Sequence, residues 1–127
     1  MRDWLPAIQQ RWARLQAEAG RLWLHRAPQG TAFPICALVP VSDVPDYSSE
    51  GHVREIHVQF SVFHTSADEA DRIAERIVDV FHDADLHIQD SYAIHCRLLS
   101  RNLLTETDDE EPVFHALREF QIFIGHN

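Results

Sequence analysis

The sequence predicts an α+β single domain: an antiparallel sheet of about four strands with two helices packed on one face, in the order α-β-β-α-β-β. Three observations predict it. Apolar residues recur at helical spacing near the start of the chain and again after residue 66, strict alternation runs through Val53–Phe63, and two further strand-like apolar segments close the chain. The 127 residues are a single-domain length, long enough to bury roughly two-thirds of the unfolded surface.

The first helix is read from the stripe Leu5, Ile8, Trp12, Leu15 and Ala19, with Asp3 as its expected N-cap, Pro6 tolerated in the first turn, and an end near Gly20. Leu22–Leu24 reads as a short strand, and Ala27-Pro-Gln-Gly30 has turn chemistry. Ile35–Val41 is apolar on both faces and reads as a strand covered on both sides. Ser42–His52, rich in acids and turn formers, is expected to be an exposed loop. In the next strand Ile56, Val58, Phe60 and Val62 face the core, while Glu55, His57, Gln59 and Ser61 face water or an interface.

Residues 64–73, "HTSADEADRI", place the letters DEAD directly after that strand, where a nucleotide-hydrolysing motif would stand. Such chemistry needs a phosphate-cradling GxxxxGK[ST] loop. The chain has no lysine, and its four glycines are scattered singly. Ser66 followed by Glu69 instead gives a capping box at a helix start. That helix buries Ala70, Ile73, Ala74, Ile77 and Phe81, spaces Asp68 and Arg72 for an i,i+4 pair, and ends near His82, where a cation complements the macrodipole. One strand is expected within Tyr92–Leu104 and another within Val113–Ile124, the latter with Phe114, Ala116, Phe120, Ile122 and Ile124 on one side. The connection between them, "TETDDEEP", is expected to be mobile and solvated because like charges extend a loop.

A formal charge of −9 with dispersed arginines argues against general nucleic-acid binding. It suits a surface past which DNA slides without sticking. No run approaches the length of a membrane span, so no membrane partner is expected. Cys36 and Cys96 lack CxxC spacing and read as buried free thiols. His57, His95 and His115 fall on strands and are the candidates for a surface zinc site, but HxH, HxxxH and HExxH are all missing, so neither metal nor cofactor is expected. The acidic run Glu106, Asp108, Asp109, Glu110 and Glu111 lacks the order and the turn glycine of a calcium loop. Neither GxSxG nor a Cys–His signature is present, and no catalytic residue is assigned.

The second sheet face mixes His57, Gln59, Ser61, His95, Arg97, Glu119 and Gln121 with Phe63, Leu99, Leu117 and Phe123. Such a mosaic suits contact with another subunit. The candidate subunit or docking surface is therefore His57, Gln59, Ser61, Phe63, Arg97, Leu117 and Glu119. The alternative reading is a small acidic binding module that holds a ligand or metal on this face.

The order of elements, with "RAPQGTAFPICAL", "VREIHVQFSVFHTSADEADRIAERIVDVF" and "EPVFHALREFQIFI" in sequence between about Arg21 and Ile124, resembles the tail completion or tail terminator proteins of long-tailed phages and prophages, also called head–tail joining proteins. The resemblance implies a structural protein with no catalytic motif to carry over. Its expected form is a homo-oligomeric, typically sixfold ring at the head-proximal end of the tail tube, ending tube polymerisation and meeting the head connector. The expected partners are further copies, the tube protein and the connector, with DNA passing nearby, and the expected location is the host cytoplasm during assembly and then the virion. The acidic run at Glu106–Glu111 and the absence of lysine depart from the family pattern. The acids are expected to face the lumen or the docking surface.

Overall fold

The computed structural model describes residues 3–46, 53–88, 91–108 and 111–126. Its elements are α1 (Leu5–Trp12), α2 (Gln16–Ala19), β1 (Leu22–Leu24), β2 (Ile35–Asp46), β3 (Val53–His64), α3 (Ala67–Phe81), β4 (Ser91–Asp108) and β5 (Glu111–His126). The strands form one sheet in the order β1-β2-β3-β5-β4. All neighbours are antiparallel except β1, which lies parallel to β2 over Leu22–Leu24. The α+β class and the order of the main elements are as expected; the short parallel edge strand raises the sheet to five strands.

The core lies between one sheet face and the helices. Ile56, Val58, Phe60 and Val62 meet Ala116, Phe120, Ile122 and Ile124 of β5, with Ile73, Ile77 and Phe81 of α3 and Ile8, Trp12 and Leu15 of the N-terminal segment packed over them. Phe60 is its centre, with ring centroids 4.8 Å from Phe81, 5.6 Å from Phe120 and 6.0 Å from Trp12.

Several local expectations are corrected. The first helix breaks after Trp12, where Ala13, Arg14 and Leu15 each donate a backbone N–H to the carbonyl three residues earlier, a tightened turn that no Pro or Gly announces. Trp4 is its N-cap and offers no side-chain bond. Asp3 instead grips the Arg54 guanidinium at 2.7 and 3.1 Å. The strand predicted to end at Val41 runs on to Asp46, with a bulge between Pro40 and Ser42; residues 47–52 of the predicted loop lie outside the described residues. Cys36, Ala37 and Leu38 are buried, but Val41 is 54% exposed, so only the first half of β2 is covered on both sides. Arg72 pairs with Glu69 and Glu18 rather than Asp68.

Ser66 caps α3 by accepting from the Glu69 N–H at 3.2 Å, a bond worth about 1 kcal/mol. The reciprocal half of the box is replaced: the Ser66 N–H donates to His64 Nδ1 at 3.0 Å. The four letters that suggested a nucleotide site are thus the opening of a capped helix. His82 is the C-cap of α3, and its Nδ1 accepts the Leu98 N–H at 3.2 Å. Cys36 and Cys96 are free and buried, and burial pushes each thiol up to about 12. Strands β3 and β5 stand between them, three spacings of about 4.8 Å and well beyond the roughly 7 Å a disulfide tolerates between Cα atoms.

Candidate functional site

The sheet face opposite the helices carries the predicted mosaic. Alternation along β3 sets Glu55, His57, Gln59, Ser61 and Phe63 on this face, and the register sets Gln121, Glu119, Leu117 and His115 beside His57, Gln59, Ser61 and Phe63. Arg97 enters from β4 opposite Gln121. The seven residues predicted as a docking surface therefore share one face.

Several of its polar groups pair with one another, whereas His95 Nε2 and both ring nitrogens of His115 are buried without a hydrogen-bond partner. His57 Nε2 lies 2.8 Å from Glu55 Oε1, and its Nδ1 lies 3.6 Å from the Glu119 carboxylate. The Gln121 amide donates to the same Glu55 oxygen, and Gln59 Nε2 donates to Ser61 Oγ at 3.2 Å. Ser61 is buried. Between Glu55 and Ser61 the face offers shape and a fixed charge pattern, with those side chains bonded to one another.

The three strand histidines are not brought together. His115 stands level with Phe63, six residues along β3 from His57, roughly 20 Å at the rise of a strand. His95, on β4, is level with Phe123 and packs edge-on against it at 4.5 Å. Among the described residues no group of three or more His, Cys, Asp or Glu is placed to hold a metal ion.

His115 stacks on Phe63 at 4.1 Å, and its Nδ1 is 3.4 Å from Glu106, too long for a strong hydrogen bond. Burial holds its pKa below the ordinary 6.5, against an opposing pull from Glu106. His95 is lowered too, first by burial and then by Arg97. The unfolded chain therefore takes up these protons at a higher pH than the folded one, so their contribution to stability is full above 6.5 and declines as pH falls below it. Urea midpoints of the wild type should drop between pH 7.5 and 5.5, and His115→Phe should flatten that slope. An unchanged slope in the variant would assign the loss to other groups.

The acidic run is not the loop the sequence suggests. β4 continues through Asp108 and β5 begins at Glu111, with Glu106 opposite Val113 and Asp108 opposite Glu111. Glu106 and Glu111 are exposed strand residues near a hairpin end, and Asp109 and Glu110 lie outside the described residues. Beside this end a groove of about 270 Å³ is lined by Phe33, Ile35, Phe63 and Val113 together with Arg26 and Glu106.

Two features escape sequence reasoning. Arg118, in the core-facing series of β5, is only 2% exposed and is held by Asp71 and Glu75 of α3 at 2.7 and 3.0 Å. The second is the placement of the exposed large apolar residues, which among the described residues fall on the outer strands or the turn entering β2: Leu24, Phe33, Val41 and Val44 on one side, Leu99, Leu103 and Leu104 on the other. The doublets Leu98-Leu99 and Leu103-Leu104 were the available signal, since neighbours on a strand face opposite ways and one leucine of each pair must leave the core.

Residues 10–125 match the family described as tail completion protein gp17. No curated protein matches the chain. Among solved structures, a chain from the virion of a native gene transfer agent particle has the same fold, with a TM-score of 0.72 and 19% identity over 94% of this chain and 92% of that one. With a family match spanning the sheet almost entirely and the helices from the end of α1 onward, the chain belongs to the tail completion protein gp17 family, whose role is structural and lies in tail assembly.

Proposed function

We propose that the protein closes into a ring at the head-proximal end of a phage or prophage tail tube, where it ends tube polymerisation and joins the tail to the head. The observation that carries this reading is the family match over residues 10–125. Its partners are further copies of itself, the tube protein below and the head connector above, and it works by contact rather than catalysis. It assembles in the host cytoplasm and stays in the virion. The surface of His57, Gln59, Ser61, Phe63, Arg97, Leu117 and Glu119 supports the role: a mosaic of polar and charged side chains with apolar patches suits a docking surface. The acidic run from Glu106 to Glu111, whose end residues Glu106 and Glu111 are exposed, faces the lumen or the docking surface. A net charge of −9 lets DNA pass without specific binding.

Deleting the gene from the parent phage or prophage tests the proposal. Overlong tails without attached heads are the expected result; virions of normal length and yield would overturn it.

A further inference from the structure

Arg54, Arg72, Arg76, Arg101 and Arg118 are each held in ion pairs within the molecule. Arg11 and Arg14 make no ion pair among the described residues. They stand together at a cleft of about 270 Å³ between the N-terminal helical segment and the α3–β4 connection, with Gln10, Asp85 and His87 also in its lining. The Arg11 Nε donates to the Val80 carbonyl at 2.6 Å, which fixes the guanidinium at the end of α3 and leaves its two Nη groups without a partner among the described residues. Burial first, and the Arg14 charge after it, hold the Arg11 pKa below the ordinary guanidinium range, and Asp85 is the smallest of the opposing pulls. One acid therefore faces two arginines and does not neutralise them. An anion set between the two guanidinium groups relieves their repulsion and takes the charge-assisted hydrogen bonds that Arg11 leaves open.

A DNA backbone fits poorly, since a polyanion is held by a basic stripe, whereas this cleft contains Asp85 and belongs to a chain of net charge −9. A carboxylate matches the planar fork of an arginine. The β4–β5 hairpin presents carboxylates: β3 ends at His64 opposite Phe114, while β5 begins earlier, at Glu111 opposite Asp108, so the hairpin projects past β3. Five acids lie between Glu106 and Glu111, and the bases beside them are Arg26 and His115. Glu106 is taken up by that neighbourhood, 3.4 Å from His115 and in one groove with Arg26. Glu111 is exposed and makes no ion pair among the described residues. Helix α3 runs back from the hairpin end, with Asp71 at Arg118 and Asp83 at Cys96. The arginine cleft thus lies at the other end of the sheet, about 40 Å from the hairpin end along β4 at the rise of a strand.

We infer that the cleft of Arg11 and Arg14 is the socket for a carboxylate from the acidic hairpin end of a second copy, with Glu111 as the residue that enters it. One molecule cannot make this contact with itself, because the two sites stand at opposite ends of the sheet. Made between copies it joins two different surfaces, and repeated around an axis it closes a ring. The second copy as occupant rests on the ring proposed above, and the contact assigns the acidic run to docking and not to the lumen.

Cysteine cross-linking in assembled tails tests the contact. Arg14→Cys and Glu111→Cys change exposed residues, and the native Cys36 and Cys96 are buried and unreactive. Tails are built with each single variant and with the double variant, then treated with a short bis-maleimide. The expected result is a ladder beyond the dimer from the double variant and monomers from either single variant. Cross-linked species from a single variant would put another partner at that surface and overturn the inference. Double variant present in tails but not cross-linked would overturn the socket while leaving the ring standing, whereas absence of the wild-type protein from tails would remove the ring reading as well. A charge exchange gives an independent reading. Arg14→Glu should lower incorporation into tails severalfold, and Glu111→Arg in the same chain should restore it. Wild-type incorporation of Arg14→Glu, or no recovery in the double variant, would overturn the inference.

Discussion

Phe60→Ala is expected to lower the folding free energy by about 3–5 kcal/mol, the range for truncating a large aromatic in a close-packed core. Phe60 is 1% exposed and stands where Trp12 of α1, Phe81 of α3 and Phe120 of β5 converge. The neighbours are held by different elements, so the site cannot collapse by moving one of them. Removing the ring forfeits the Trp12 stack and the edge-on Phe120 contact, each worth about 0.5–1.5 kcal/mol beyond area burial. A small domain is stable by only about 5–15 kcal/mol, so the variant should stand near the limit of folding. Urea unfolding at pH 7 measures the loss, with Leu99→Ala as a comparator because Leu99 is 44% exposed. A loss below about 1.5 kcal/mol for Phe60→Ala would mean that the ring cluster does not anchor the two helices.

That core was legible because its residues obey one period each. The alternation Ile56, Val58, Phe60, Val62 gave β3 and its buried face, and the spacing Ala70, Ile73, Ala74, Ile77, Phe81 with Ser66 before it gave α3 and its start. Composition misled where it stood in for pairing. Ser42–Asp46 contains turn formers, yet an edge strand tolerates proline and polar residues because half its backbone groups need no partner. The run from Thr105 to Glu111 is highly charged, yet cross-strand pairing extends the hairpin through Asp108 and Glu111, which outweighs local repulsion. The seven docking residues share a face because strand period and register follow from pattern. The placement of the exposed apolar residues did not emerge, since which strand ends a sheet depends on the order β1-β2-β3-β5-β4 and not on any single strand's sequence.

Arg118 is the residue whose charge contradicts its position, and it supports the second large prediction. Between Ala116 and Phe120 it faces the core, and its cross-strand neighbour on β4 is Arg101, so two like charges stand side by side, which is unfavourable alone. Glu75 resolves the conflict by accepting from Arg101 Nε at 2.9 Å and Arg118 Nε at 3.0 Å, while Asp71 takes the Arg118 Nη2 at 2.7 Å. The helix α3 is thereby tied to β5 and to edge strand β4 through one carboxylate. Arg118→Glu puts a third carboxylate among Asp71 and Glu75 at a buried position, and a loss of about 3–5 kcal/mol is expected, as for breaking a buried charge pair. Arg118→Met keeps the long apolar stem and leaves Glu75 to Arg101, so a loss of about 1–2 kcal/mol is expected. The acid limb of stability should separate them further. Arg101 first, and Arg118 after it, hold the Glu75 carboxyl below its ordinary 4.5, so its stabilisation is present above pH 4.5 and is lost as pH falls through the depressed value. Arg118→Met should lose less on acidification than the wild type, because only the Arg101 contribution remains to be broken. Equal stability of the Glu and Met variants at pH 7 would show that the stem of Arg118, and not its ion pairs, holds α3 against the sheet.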